Sequence, residues 1–273
     1  MILYALITEQ SIGALFIAGI MPGIMMVVIF SLYIAIRAKL NPQIAPSLPG
    51  VTWKERFASL RGVWAFLLVI VTVLGTIYAG VCTATEAAAV GAFASFIIAL
   101  VYRRMNWAVL KEALFRTVRT SCFIFFIIFG AMTFAYLLCY LRIPMELSAL
   151  VASTGLSPIQ VLIMINVLFL ILGMFLDPAG ILVLTLPVLF PVVQALGFNP
   201  IWFGVIMTMN MEMANITPPV GLNLFVIKSI SPEEVTLGEI IRGAAPFVGL
   251  LALGIALLVI FPSIALWLPG MMR

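Results

Sequence analysis

Apolar runs of 16 to 25 residues follow one another along the chain, with none of the alternation that marks a β-strand. A bilayer core is crossed by about 20 apolar helical residues, whereas the strands of a membrane barrel alternate in short segments. The pattern predicts an all-α fold, a polytopic membrane helical bundle. Spans are expected near Ile12–Ile36, Val63–Ala79, Ala87–Tyr102, Thr120–Leu141, Ile159–Leu176, Ile181–Leu196, Pro200–Lys228 (interrupted) and Ala245–Leu268. Between them lie a Pro-rich linker, Arg37–Arg56, and two short amphipathic stretches, Arg103–Arg119 and Ser231–Gly243. The second opens with Ser-Pro-Glu-Glu, a helix-start pattern. Both stretches read either as arms lying in the membrane interface or as solvated loops with some helix.

Composition agrees with the pattern and narrows the chemistry. The chain is 64% hydrophobic and 9% charged, against about 25% charged in a soluble domain. Cys82, Cys122 and Cys139 all fall inside apolar runs, so they predict no disulfide framework. There is no histidine, which removes the commonest general base and metal ligand. An intramembrane aspartyl protease needs two aspartates sharing a proton, and Asp177 is the sole aspartate. Rhomboid-type and zinc proteases need histidine. No catalytic residues are predicted.

The net charge of +4 is an orientation signal rather than a sign of nucleic acid. If the first span runs inward, twelve of the fourteen Lys and Arg residues face the cytoplasm, and only Arg142 and Arg273 fall outside. That places residue 1 on the outer side. No Lys or Arg occurs in residues 1–36, so the start lacks the basic region of a signal peptide. An outside start with neither signal nor preceding helix points to an origin beyond Met1.

Three acids lie within or at the ends of predicted spans: Glu86, Asp177 and Glu212. A charge at a helix centre costs roughly 2.5–3.5 kcal/mol or more, so such groups are functional suspects. Asp177 stands before Pro178 and Gly180, which together predict a break at Asp177–Gly180. The flanking arms make either a re-entrant hairpin or two full spans joined by a tight turn. Asp177 can serve as a hard-cation ligand beside freed carbonyls, or simply cap the following helix. A second break is predicted at Ile216–Gly221, within "MNMEMANITPPVGLNLF" (Met209–Phe225). Pro218 and Pro219 remove two donors, Gly221 follows, and Asn215, Thr217 and Asn223 add oxygens. A simple proline kink is the competing explanation. Paired interrupted helices are the sequence mark of a transporter binding site. At Glu86, N-capping by Thr83 or Thr85 places the acid in a first helical turn, a capping role that competes with a ligand role. Met209, Met211 and Met213 alternate and are read as packing.

The segments "TATEAAAVGA", "LGMFLDPAGILVLTLPVLFPVVQALG", "FGVIMTMNMEMANITPPVGLNLFV" and "LGEIIRGAAPF" together resemble the large membrane subunit of TRAP (tripartite ATP-independent periplasmic) transporters, the DctM-like family. The resemblance covers essentially the whole chain. It implies an elevator-type secondary transporter of the bacterial or archaeal inner membrane, with no cofactor and Na+ as coupling ion. It further implies a periplasmic substrate-binding protein and a small membrane subunit as partners, membrane lipid around the bundle, and a small carboxylate substrate such as a C4-dicarboxylate, 2-oxo acid, sialic acid or sugar acid.

Members have two inverted repeats, each with a hairpin and a broken helix. The opening "ILYALITEQSIGALFIAGIMPGIMM" looks like the stretch after the first repeat's Pro-Pro break, so the chain is expected to hold the second repeat only. On that expectation residues 1–61 form the first span and cytoplasmic linker, and 62–141 the scaffold helices with an amphipathic arm at 103–119. Residues 142–230 form the transport-core hairpin and broken helix, and 231–273 the arm helix and last span. Asp177 and Thr217 are the expected Na+ ligands. Gly180, Asn210, Glu212, Asn215, Pro218, Pro219, Gly221 and Asn223 are expected around the substrate cavity. A remnant without transport activity, or a half needing a second chain, is the alternative.

Overall fold

A computed structural model of the chain describes residues 1–43 and 52–271. Residues 44–51 of the Pro-rich linker lie outside the described residues, as do 272 and 273. Among those described there are twelve helices and no strand, which bears out the all-α bundle. In order they are α1 (Ile2–Thr8), α2 (Ile12–Leu40), α3 (Trp53–Tyr78), α4 (Ala84–Val101), α5 (Trp107–Tyr140) and α6 (Ile143–Ser153). They continue with α7 (Pro158–Gly173), α8 (Pro178–Ala195), α9 (Pro200–Asn215), α10 (Leu222–Ile230), α11 (Leu237–Ile260) and α12 (Ser263–Gly270). Five of these, α2, α4, α5, α8 and α11, are long and apolar enough to cross a membrane.

Caps decide where helices start, and they explain most departures from the sequence expectation. Thr52, Thr83, Ser157 and Thr236 each form a capping box with the Glu or Gln three residues on. Such a box satisfies two backbone donors that the first turn leaves open. At α11 the box joins Thr236 to Glu239, so the helix begins there and not at the Ser-Pro-Glu-Glu signal. Lys228 Nζ donates to the carbonyl of Val235 at 2.6 Å and closes the intervening turn. The expected separate arm at Ser231–Gly243 is therefore the first turns of α11. Nor does the last span run on to Leu268. Pro262 has no N–H to continue the ladder, and the chain restarts as α12.

A similar merger occurs earlier. The amphipathic arm at 103–119 and the span after it form one 34-residue helix, α5. No proline interrupts it and no unpaired stretch separates them. Two helices had no counterpart in the hydropathy pattern. They are α1, which ends at Glu9 in a left-handed conformation (φ 55°), and α6, which has a proline in its first turn.

The chain divides into two compact units, Met1–Tyr33 with Phe125–Arg273, and Ile34–Ile124. In the smaller unit α3 packs on α4 through a small-residue contact. A Cβ on Gly91 would meet Val73 Cγ2 at 2.5 Å. In the larger unit α9 is the central helix, with eleven of sixteen residues buried. Its N-terminus is fixed from both sides. Tyr4 donates its hydroxyl to the Pro200 carbonyl at 2.6 Å, and Trp202 Nε1 donates to the Leu258 carbonyl at 2.8 Å.

Candidate functional site

The helix carrying the alternating methionines is the one the larger unit is built around, and the site lies at its C-terminal end. The chain leaves helical geometry at Ile216, after α9, and re-enters it at Leu222. Pro218 and Pro219 lie in the gap, exposed and joined by a cis peptide bond. Thr217 turns its hydroxyl back to the Met213 carbonyl at 2.6 Å, while its own N–H reaches the Ala214 carbonyl. The carbonyls of Thr217 and Pro218 lie in the turn between α9 and α10, outside either helical ladder. Gly221 begins α10 with φ 51°, in the left-handed region that costs other residues roughly 1–2 kcal/mol. A side chain there would also lie 3.1 Å from the Thr217 carbonyl and 2.7 Å from Leu224.

The hairpin between α7 and α8 supplies the other break. Helix α7 stops at Gly173, and residues 174–177 are non-helical. Asp177 N-caps α8, accepting from the Gly180 N–H through Oδ2 at 3.1 Å. Gly180 allows this close approach, since a Cβ there would sit 3.0 Å from Asp177 Oδ1. Oδ1 itself makes no hydrogen bond among the described residues.

One backbone bond ties the two breaks together. The N–H of Val220 donates to the Met174 carbonyl at 3.2 Å. Thr217 is three residues before one end of this bond and Asp177 three residues after the other. The helices carrying the breaks are themselves in close contact: a Cβ on Gly173 would fall 2.4 Å from the Ala214 Cβ. Each break presents one helix C-terminus (α7, α9) and one N-terminus (α8, α10). Carbonyl-bearing C-terminal ends favour cations, and N–H-bearing N-terminal ends favour anions, by roughly 0.3–1 kcal/mol each and more when partly buried.

The other expected site residues are spread more widely. Asn215 and Asn223 are half-buried on either side of the second break. Glu212 is exposed and lines two cavities, of about 630 and 130 Å³. The larger is walled by α2, α9, α10 and α11 and is apolar apart from Glu212 and Thr208; the smaller includes Pro178 and Met211. Asn210 is fully buried, and its Nδ2 donates to the side-chain oxygen of Asn166 at 2.9 Å and to its carbonyl at 3.0 Å. Sequence reasoning missed Asn166. Its signal was an amide inside the apolar run of α7, with no proline or glycine beside it to mark a break. Glu86 completes a cap with Thr83, 2.8 Å from the Thr83 N–H. Among the described residues no three His, Cys, Asp or Glu side chains gather at one point. The oxygens that the breaks present are thus backbone carbonyls, the Asp177 carboxylate and the Thr217 hydroxyl, the atom types that hard cations prefer.

The family model of the tripartite ATP-independent periplasmic transporter, DctM component, matches residues 1–264. The chain belongs to the DctM family. The C4-dicarboxylate TRAP transporter large permease protein DctM of Pseudomonas aeruginosa is 39% identical over 99% of the chain and 62% of its own length. The DctM protein of the same description from Vibrio cholerae is 36% identical over 100% of the chain and 64% of its own length. The sialic acid TRAP transporter large permease protein SiaM of Vibrio cholerae is 31% identical over 98% and 62%. The chain thus spans somewhat under two thirds of the length of these DctM relatives. Membership of this family of permeases, none of them an enzyme, together with five apolar candidate spans, makes the chain a multi-pass protein of the inner membrane.

Proposed function

We propose that this DctM-family chain is the permease portion of a Na+-coupled secondary transporter that imports a carboxylate. The bond between Val220 and Met174 carries the reading, because it sets two helix breaks face to face. Paired breaks of this kind form midplane sites in secondary transporters, where unwound carbonyls and helix C-termini hold cations and helix N-termini meet anionic groups. Na+ would be bound by Asp177, the Thr217 hydroxyl and the non-helical carbonyls beside Pro218. Gly180 and Gly221 would let the backbone approach, and Asn215 and Asn223 would line the same cavity, with Asn210 and Glu212 lower on α9.

The carboxylate would face the N-terminal ends of α8 and α10. Relatives named for C4-dicarboxylates and for sialic acid both carry acids, which supports this substrate class. Cation charge next to an anion offsets the cost of placing either in a low-dielectric interior, so each ligand favours the other and their movement is coupled. A periplasmic binding protein would deliver the substrate, a small membrane subunit would brace the permease, and the site would cross the membrane by elevator motion. Because the chain spans only part of its relatives' length, a second chain completing the site is the alternative arrangement.

Uptake of a labelled C4-dicarboxylate into proteoliposomes, with binding protein and small subunit present, tests the proposal. Uptake should follow an inward Na+ gradient and vanish when K+ replaces Na+. The same change made at the equivalent Asp of a full-length relative separates a wrong ligand assignment from an incomplete assembly. If Asp177→Asn and its counterpart both leave Na+ dependence unchanged, the cation assignment fails.

A further inference from the structure

We propose that Asn166 is a positioning residue: it locks the hairpin arm α7 to the broken helix α9 and so holds the two breaks at the spacing cation binding requires. The inference rests on the reading above that the breaks bind the coupling cation. Asn166 accepts twice from Asn210 Nδ2, through its side-chain oxygen and its carbonyl, and donates its own Nδ2 to the Leu162 carbonyl at 2.8 Å. Donor and acceptor ends of this amide are therefore both engaged, which fixes its orientation. Among the described residues these are the only hydrogen bonds made by side chains between α7 and α9.

Toward the breaks from this pair, the same two helices meet again at Gly173 and Ala214, and the segments that follow them meet through Met174 and Val220. Asn166 lies about two helical turns before Gly173. The apolar contacts between these links hold the helices together, but the hydrophobic effect that drives them is non-directional. A hydrogen bond between two amides does fix register, the best-attested role of a polar group in an apolar interface. Asn210 also bears the mark of a group kept for something other than stability. It is wholly buried, yet its Oδ1 finds no donor among the described residues. Burying an acceptor without a partner is unfavourable, and a Leu or Met would avoid that loss. Departures from local optimality of this sort gather at functional sites. A cation bound by groups from both breaks senses any slip of α7 along α9, because binding constellations tolerate displacements of only about 0.5 Å.

Hydrogen–deuterium exchange of the purified chain in lipid nanodiscs, in Na+ or in K+ at equal ionic strength, tests this. Asn166→Leu removes the acceptor side chain and keeps the volume apolar. In it, residues 216–221 should exchange at least tenfold faster in K+, while α3, α4 and α11 keep wild-type rates. The Na+ concentration that half-protects 216–221 should rise at least fivefold. Asn166→Asp retains an acceptor for Asn210 Nδ2 and should restore protection. Asn166→Ala carries the same expectation as Leu should the larger side chain prevent folding. Unchanged exchange at 216–221 overturns the proposal, and so does a uniform rise across all helices, which would mark a general packing role. Identical wild-type exchange in Na+ and K+ would instead refute the cation reading, leaving the lock to be judged by the K+ data alone.

Discussion

Helices α4 and α8 have the same length, 18 residues, and the same mean hydropathy of 1.9. Two residues of α4 are buried within the chain, Ala87 and Gly91, against six of α8. Hydropathy cannot separate them, because lipid tails and protein interior are equally apolar. What separates them is the task of their termini. The first turn of α4 is closed by a Thr-Glu box, which answers two of its open backbone donors from within the same turn. The first turn of α8 is capped by an aspartate with one oxygen to spare, beside a break whose Met174 carbonyl is answered by Val220 from the other break. The sparsely buried helix is closed at its start by its own residues; the site helix is left open toward its neighbours.

The largest effect expected from this contrast comes from Gly173→Ala. The added methyl would lie 2.4 Å from Ala214 Cβ, and α9 has no room to retreat, being buried on most sides. Overpacking a tight contact costs about 1–3 kcal/mol. The apparent midpoint of thermal unfolding in detergent should fall, and residues 216–221 should lose protection with it. An unchanged midpoint would mean that α7 and α9 do not touch as described.

Asp177→Asn comes next and separates capping from ion binding. Asn caps a helix about as well as Asp, so the unfolding midpoint should hold. The carboxylate's charge is gone, however, and the Na+ concentration for half-maximal uptake should rise tenfold or more, equivalent to about 1.4 kcal/mol. A drop in stability with unaltered Na+ dependence would make Asp177 a cap and nothing else.

Two changes of about 1 kcal/mol follow, one in each unit. Trp202→Phe removes the hydrogen bond to the Leu258 carbonyl and leaves that buried acceptor unanswered. Thr83→Ala removes the cap of α4. The first should loosen α9 and α11 together, as seen in their exchange rates. The second should loosen only the start of α4. Spread of the Thr83→Ala effect beyond α4 would contradict the self-contained character assigned to that helix.

The class of fold was legible because apolar run length is a strong signal, and both breaks were legible because Pro and Gly act locally. What escaped depended on partners distant in sequence. Helix α1 is only seven residues long and too short for hydropathy to register; Tyr4 in it is held by Pro200, 196 residues away. The continuity of α5 and α11 escaped because a change from polar to apolar was read as a boundary, whereas a helix needs only an unbroken hydrogen-bond ladder and a good cap. Within the candidate site, Asp177 and Thr217 announced themselves as polar groups beside prolines. Asn166 did not, since its importance lies in reaching Asn210 across 44 positions of chain. The opposition of the breaks was invisible for the same reason, because Met174 and Val220 meet through backbone atoms that every residue carries.

The smallest expected effect has the opposite sign, and so it is the sharpest test of the contrast. Gly75 sits in α3, and a Cβ built there meets nothing within 4 Å. The substitution that should harm position 173 should therefore help here. Ala restricts the unfolded chain and favours helix over Gly by about 0.5–1 kcal/mol. Gly75→Ala is expected to raise the apparent midpoint slightly and leave Na+-driven uptake unchanged. The same methyl group, added to two helical glycines, would then report the surroundings of each. If Gly75→Ala destabilised the chain as much as Gly173→Ala, α3 would have to be packed there as tightly as α7, and the distinction between a lipid-facing face and a site-facing one would fail at that position.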